Sequence, residues 1–256
     1  MRFARISIQD TIAFGIVEGD GAGASVTVID GHPFGPHERT KVVVPMADVR
    51  LLPPVLPTKI VGVGKNYHDH AREMGGEAPT TPLLFIKPST AVVGSGEPIV
   101  LTAQSNQVEF EGELAVVIGR LAKDIPVARA SEAVLGYTCA NDVTARDLQR
   151  SDGQWVRAKG FDTFCPLGPW IETEVQHAEL AISTSVNGST KQSASTADMV
   201  HSAPELVSFV SSVMTLLPGD VILTGTPAGV GPLHEGDDVE VSIDGIGQLR
   251  NTVTAP

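Results

Sequence analysis

The chain has 256 residues, of which 42% are hydrophobic, so it can bury a full core as one large domain or as a large domain with a small appendage. Eighteen Lys and Arg face thirty Asp and Glu, and the net charge of −12 argues against nucleic-acid and anionic-membrane partners. No apolar run approaches transmembrane length. We therefore expect a cytoplasmic protein that holds any anionic ligand with local cations.

The N-terminal segment predicts a small β domain. Residues 3–8, 11–17 and 25–29 form short β-like runs, and turns rich in Gly and Asp separate them. Three prolines between residues 53 and 57 cannot continue a central strand or helix. We therefore predict an N-terminal β domain and linker over residues 1–57, followed by a larger domain over residues 58–256.

A short helix is predicted just after the first strand of the larger domain. Residues 59–64 read as a buried strand, and Asn66 is predicted to cap a helix that runs to Met74 and ends at two glycines. His70 and Glu73 lie on one face of this helix. Their spacing of three residues permits direct contact.

An acidic stretch, VEFEGELAVVIGR at residues 108–120, reads as a strand. Side chains alternate along a strand, so Glu109, Glu111 and Glu113 would share one face, where their charges repel. Either water or a hard cation relieves that repulsion. Because Glu113 directly precedes the apolar run 114–118, the acids enter the core, and this favours the cation. Asp142, after a second apolar segment, would complete an oxygen-rich site of the kind that Mg²⁺ or Mn²⁺ prefers.

Later segments give further local predictions. Residues 144–150 predict a helical turn that places Arg146 and Gln149 side by side. The aromatic and proline-rich residues 161–170 predict an ordered loop. Ser202 begins a helix whose apolar stripe repeats to Leu217. A strand over 220–224, a turn at 225–227 and a closing hairpin region over 238–252 complete the chain.

Six blocks, in order, resemble the fumarylacetoacetate hydrolase family, and the resemblance covers nearly everything from residue 59 to residue 256. The blocks are GKNYHDHAREM at 64–74, FIKP at 85–88, FEGELAVVIG at 110–119, NDVTARDLQ at 141–149, RAKGFDTFCPLGPW at 157–170 and LTGTPAGVG at 223–231. The resemblance implies a β-rich α+β fold, a mixed β-sandwich or β-roll, with a small N-terminal β domain similar to that of prokaryotic members. It also implies a homodimer.

The resemblance further implies roles for ten residues. The implied ligands of Mg²⁺ or Mn²⁺ are Glu111, Glu113 and Asp142, which leaves Glu109 outside the metal shell. His70 and Glu73 would form a catalytic dyad on a lid over the substrate, and Lys159 would lie near the metal and the substrate oxygens. Four further residues match positions that line the substrate or support the site: Lys87, Arg146, Gln149 and Thr226.

Family substrates are similar in carrying a 2-oxo or 2,4-dioxo acid unit, so we expect a small anionic oxo acid. His70, oriented by Glu73, fits a general base, and Lys159 would offset negative charge on an enolate or oxyanion. We predict Mg²⁺- or Mn²⁺-dependent cleavage of a C–C bond, by hydrolysis or decarboxylation, in an acylpyruvate or oxaloacetate. One alternative is a 2-hydroxyhepta-2,4-diene-1,7-dioate isomerase or decarboxylase of aromatic catabolism. Another is an inactive metal-binding interaction module, against which the intact dyad and Lys159 argue.

Overall fold

The computed structural model describes residues 1–256 and is dominated by strands. Four α-helices interrupt them: α1 His68–Glu73, α2 Arg146–Asp152, α3 Val156–Lys159 and α4 Ala203–Val213. Short 3₁₀ helices span Gly21–Gly23, Met46–Asp48, Ser89–Ala91, Val127–Ala133, His177–Glu179 and Thr196–Asp198. No helix combines the length and the apolarity that spanning a membrane requires.

The strands are numbered in chain order. They are β1 Arg2–Ile8, β2 Thr11–Glu18, β3 Ser25–Gly31, β4 His37–Pro45, β5 Arg50–Leu52, β6 Ile60–Gly64, β7 Leu83–Lys87, β8 Val92–Val93, β9 Ile99–Val100, β10 Val108–Phe110, β11 Gly112–Ile118, β12 Val134–Asn141, β13 Thr144–Ala145, β14 Cys165–Glu172, β15 Ala181–Val186, β16 Ser189–Ser195, β17 Val221–Leu223, β18 Gly231–Pro232, β19 Asp238–Ile243 and β20 Gly247–Thr254.

Three sheets organise these strands. A twelve-stranded sheet has the main order β4-β3-β2-β1-β14-β12-β11-β17-β6-β7, with β5 on β1 and β8 on β14. A five-stranded sheet runs β16-β15-β19-β20-β9, and a small sheet runs β13-β10-β18. The fold is therefore α+β and rich in strands, as predicted. Because β1 pairs with β14, strands on both sides of residue 57 share one sheet, and a domain boundary there stays a prediction.

Strand β11 is buried on both faces, which explains its continuous apolar sequence. On one face Leu114 and Val116 pack in a core shared with Val241 of the five-stranded sheet and Leu206 of α4. On the opposite face Val117 belongs to a second core that includes residues of β1, β2 and β3. β11, which begins at the acidic cluster, is thus held by packing on both of its faces.

The single strand predicted over residues 108–120 is wrong, because the chain leaves one sheet for another at Glu111. β10 pairs with β13 and β18, whereas β11 pairs with β12 and β17. At the break, the Glu111 N–H donates to Asn141 Oδ1 at 2.9 Å, and the Glu111 carbonyl accepts the Asp142 N–H at 2.8 Å. Backbone pairing therefore holds Glu111 directly beside Asp142.

The loop predicted over residues 161–170 is also wrong, because β14 occupies its second half. β14 lies inside the large sheet between β1 and β12. Its pairing with β12 shifts register between Tyr137 and Cys139, and Pro169 lies at this irregularity. A proline is tolerated where the regular ladder is already interrupted, so the local composition was misleading.

Two helix boundaries differ from the prediction. α1 begins at His68, and Asn66 does not cap it. Its side chain instead donates to the carbonyls of His201 and Thr224 at 2.9 and 2.7 Å, which ties the start of α1 to the C-terminal half of the chain. α4 starts as predicted, with the Ser202 N–H donating to Glu205 Oε2 at 2.7 Å, but it ends at Val213 rather than Leu217.

Asp220 connects the two parallel strands that border the site, β6 and β17. It is fully buried and accepts hydrogen bonds from the hydroxyl of Thr58 at 2.5 Å and the N–H of Leu217 at 2.7 Å, beside the ammonium of Lys59. We expect Asp220→Ala to lower the free energy of unfolding by about 3 kcal/mol in urea titrations, because it leaves these donors unpaired. The exposed Glu132→Ala is the control, with a change below about 0.5 kcal/mol. A loss under about 1 kcal/mol at Asp220 would contradict this prediction.

Candidate active site

Three buried carboxylates converge where β10 and β12 end and β11 begins. One oxygen from each of Glu111, Glu113 and Asp142 lies within 4.8 Å of the others, and none of these side chains is more than 5% exposed. Glu111 and Asp142 are joined by backbone pairing, and Glu113 lies two residues further along the chain. The structure thus brings together the three residues that the resemblance implies as ligands.

Glu113 is positioned by a glycine turn after β17. Its Oε2 accepts the Gly225 N–H at 2.7 Å. Gly225 has φ +95°, and a Cβ there would lie 2.7 Å from the Cβ of Asn66, so only glycine fits this position. Burial, and then the negative charges of Asp142 and Glu111, raises the pKa of Glu113 well above its usual value.

Three buried cations surround the acids. Lys159 Nζ donates to Glu111 Oε2 at 2.8 Å and to Asp142 Oδ2 at 2.6 Å. Lys87 Nζ donates to Asp142 Oδ1 at 2.5 Å, and Arg146 pairs with both Glu111 and Glu109. Burial opposes the ionisation of Glu111, but Lys159 and Arg146 outweigh it and lower the pKa of Glu111.

The donor set fits a hard divalent cation. Carboxylate oxygens are the ligands that Mg²⁺ and Mn²⁺ prefer. Glu113 keeps Oε1 without a hydrogen bond, and its carboxyl lies among like charges that a cation would neutralise. Glu109 differs, because it is not part of the carboxylate cluster and does not line the cavity; its oxygens accept from Arg146 Nε at 2.7 Å and Gln107 Nε2 at 2.6 Å. Glu109 is therefore outside the trio, as the resemblance implies.

The predicted dyad is formed on α1. His70 Nδ1 lies 3.0 Å from Glu73 Oε2, and His70 is only 5% exposed. Glu73 Oε1 accepts the Gly229 N–H at 3.0 Å, so the helix is attached to the turn that follows β17. His70 Nε2 has no hydrogen-bond partner in the protein, and the ring lines the same cavity as the acids. His68 is exposed on the surface of α1.

Four predicted supporting residues take different places. Arg146 Nη1 donates to Gln149 Oε1 at 2.6 Å, and both side chains line the cavity. Thr226 also lines it, but its hydroxyl donates to the Gly112 carbonyl at 2.8 Å and accepts from Gln192 at 2.7 Å. Lys87 lies behind Asp142, fully buried and outside the cavity lining.

The cavity in front of the acids has a volume of about 170 Å³. It has room for a small organic acid. Seven lining residues were not assigned a role from the sequence: Val63, Gly64, Lys65, Met74, Phe85, Arg150 and Trp155. Gly64, Lys65, Met74 and Phe85 fall inside the quoted motifs, but nothing in the local sequence shows that they face the cavity.

Family descriptions match both parts of the chain. Residues 59–254 match "Fumarylacetoacetate (FAA) hydrolase C-terminal", and residues 1–54 match "Rv2993c-like, N-terminal". Among curated relatives, "Protein Rv2993c" of Mycobacterium tuberculosis is 53% identical over 99% of this chain and 98% of its own length. "Oxaloacetate tautomerase FAHD2A, mitochondrial" of Bos taurus is 45% identical over 82% of this chain and 71% of its own length.

Solved structures agree. The "5-carboxymethyl-2-hydroxymuconate delta-isomerase" from Mycobacterium smegmatis is 52% identical with a TM-score of 0.94, covering 100% of both chains. A fumarylpyruvate hydrolase from Pseudomonas aeruginosa, solved with Mn²⁺ and pyruvate, is 35% identical with a TM-score of 0.75, covering 81% of this chain and 92% of its own. Sequence motifs, fold and relatives therefore agree that this chain belongs to the fumarylacetoacetate hydrolase C-terminal family.

Proposed function

We propose that this protein is a divalent-metal-dependent enzyme that carries a small 2-oxo acid through its enolate. The observation that carries the proposal is the position of His70, which faces the same cavity as the buried trio of Glu111, Glu113 and Asp142. A proton-transfer group beside an electrophilic centre is the arrangement that enolate chemistry requires. The homodimer implied by the resemblance stays a proposal.

Glu111, Glu113 and Asp142 would hold Mg²⁺ or Mn²⁺. Bound there, the ion would act as a Lewis acid for the 1-carboxylate and 2-oxo oxygens and stabilise charge that develops during the reaction. The relative solved with Mn²⁺ and pyruvate supports this choice of ion and of ligand class. Lys159 contributes a second positive charge at the same place, because its ammonium lies between two of the three acids.

His70 moves the proton. Glu73 holds the ring through Nδ1, which leaves Nε2 to accept a proton from the substrate carbon or from a water molecule. Met74, Phe85 and Trp155 line the same cavity and exclude part of the solvent, which strengthens every charge interaction inside it.

Two reactions can proceed through this enolate. The sequence analysis predicts C–C cleavage, by hydrolysis or decarboxylation, of an acylpyruvate or of oxaloacetate. Proton removal alone would give an isomerase or tautomerase, and two relatives favour this second candidate. They are the M. smegmatis protein named as an isomerase and the bovine protein named as an oxaloacetate tautomerase, whereas the P. aeruginosa hydrolase is less similar.

A metal-free preparation given Mg²⁺ or Mn²⁺ tests the proposal. With either ion we expect loss of enol absorbance from oxaloacetate, acetylpyruvate or fumarylpyruvate to accelerate at least about 100-fold over the chelated protein, because the acids cannot activate the 2-oxo group alone. Product analysis separates the candidates, since cleavage releases pyruvate and tautomerisation returns the same acid. Equal turnover with and without chelator would overturn the metal requirement, and no turnover of any substrate would favour the interaction module.

A further inference from the structure

Lys65 brings a cation without an acidic partner to the cavity. It follows β6 with φ +58°, a conformation that few non-glycine residues adopt and that is concentrated at functional sites. Its side chain lines the cavity, and its Nζ lies 3.6 Å from the position that a Cβ would take on Gly76, beyond the end of α1. No carboxylate lies within ion-pair distance of it, and unlike the other unpaired cations outside α2 it reaches the cavity of the acids.

Arg150 brings a second such cation from α2. It lines the same cavity and makes one hydrogen bond, from Nη1 to the Gln107 side chain at 3.2 Å. No carboxylate pairs with it either. Two cations from separate segments therefore reach one small cavity, and the protein supplies neither with an opposite charge.

The charges in the inner part of the site indicate what Lys65 and Arg150 can bind. Four buried carboxylates (Glu109, Glu111, Glu113 and Asp142) face three buried cations (Lys87, Arg146 and Lys159), which leaves a formal net charge of −1. A divalent cation would change this to +1 and match the single carboxylate of a 2-oxo acid head. The positive charges of Lys65 and Arg150 then remain for a second negative group.

We propose that Lys65 and Arg150 bind the distal carboxylate of the substrate and so select 2-oxo dicarboxylates over 2-oxo monocarboxylates. This inference rests on the proposed function, because the inner end of the cavity must take the 2-oxo acid head. When the reaction removes a proton from C3, neither cation touches the reacting atoms. Both act as specificity-determining residues, and their contribution to tautomerisation is equal in the ground state and the transition state.

The test compares two substrates in the Mg²⁺-loaded enzyme. Oxaloacetate and acetylpyruvate share the head and differ in whether a carboxylate or a methyl ketone follows. For Lys65→Gln and for Arg150→Gln we expect KM for oxaloacetate tautomerisation to rise about 10-fold, with its kcat and both constants for acetylpyruvate within about 2-fold. Lys65→Arg should restore KM. Arg72→Gln and Arg157→Gln remove paired surface cations outside the cavity lining. They should change neither KM nor kcat for either substrate.

Equal losses on both substrates would overturn the inference, since they would show a structural role, and so would an unchanged KM for oxaloacetate. A native enzyme that turns over neither acid would instead contradict the proposed function. In that case the inference is tested by calorimetry, which measures the binding of the stable acids 2-oxoglutarate and 2-oxopentanoate in the presence of Mg²⁺. Tighter binding of the dicarboxylate that is lost in the double variant supports the inference, and equal binding of the two acids overturns it.

Discussion

Glu113→Gln is expected to abolish turnover and to weaken Mn²⁺ binding more than about 100-fold. This loss is larger than the loss of about 10- to 100-fold that follows when a residue that only hydrogen-bonds a metal ligand is replaced. The amide keeps the shape of the side chain and can still accept the Gly225 N–H through its oxygen. It removes one of three negative ligands, however, and hard cations depend on that charge. Calorimetric titration of the metal-free protein with MnCl₂, followed by assay at saturating metal, measures both effects.

The same substitution should leave the metal-free protein at least as stable as the native one. Glu113 lies buried among like charges, which raise the pKa of its carboxyl, so a neutral side chain relieves repulsion. Glu109→Gln is the matched control: it lies on the same stretch but outside the trio, and Mn²⁺ affinity should stay within about 3-fold. If Glu113→Gln bound Mn²⁺ as tightly as the native protein, the trio would not be the metal site.

His70→Ala is expected to lower kcat by about 10²- to 10⁴-fold, the usual contribution of a general acid–base group, while the Mn²⁺ affinity is retained. The loss should fall on kcat because the ring acts in the transition state. His70 makes its hydrogen bond to Glu73 and makes none to the trio, so the metal ligands keep their positions. Steady-state kinetics and the same Mn²⁺ titration check both parts.

Two neighbouring substitutions separate catalysis from a change in the helix. His68→Ala alters an exposed histidine on α1 and should leave turnover within about 2-fold. Glu73→Gln keeps an oxygen for the Gly229 N–H but removes the carboxylate that orients the His70 ring through Nδ1, so we expect an intermediate loss of about 10- to 100-fold. Native turnover in His70→Ala would show that another group transfers the proton.

Local pattern was sufficient to predict a cluster of buried acids but not to choose among them. Glu109, Glu111 and Glu113 alternate before an apolar run, and Asp142 follows another such run. The choice of Glu111 and Glu113 came from the family resemblance, because spacing treats the three glutamates alike. The i, i+3 spacing of His70 and Glu73 is equally local, and their contact is found at 3.0 Å. The ion, the substrate and the choice between cleavage and isomerisation have no such local signal.

Predictions that depended on remote partners failed. Asn66 was expected to cap α1, but its amide contacts His201 and Thr224, more than 130 residues away in the chain. Residues 161–170 were predicted as a loop because prolines interrupt the hydrogen bonds of a regular strand. β14 nevertheless lies in the large sheet, where its pairing with β12 shifts register. A local pattern records which side chains prefer burial and contains no information about the partner strand.

The sequence by itself determined the many strands, the buried acids and the contact between His70 and Glu73, because each follows from local spacing and apolarity. The choice of Glu111, Glu113 and Asp142 as ligands, and the catalytic role of His70 and Glu73, came from the resemblance to the family. Only the tertiary structure decided that the strand carrying the acids breaks at Glu111, where pairing with Asn141 and Asp142 takes over. It also decided that Lys65 and Arg150, 85 positions apart in the sequence, line one cavity without acidic partners. The position of a charge relative to a cavity depends on how distant segments pack, and no local pattern encodes that.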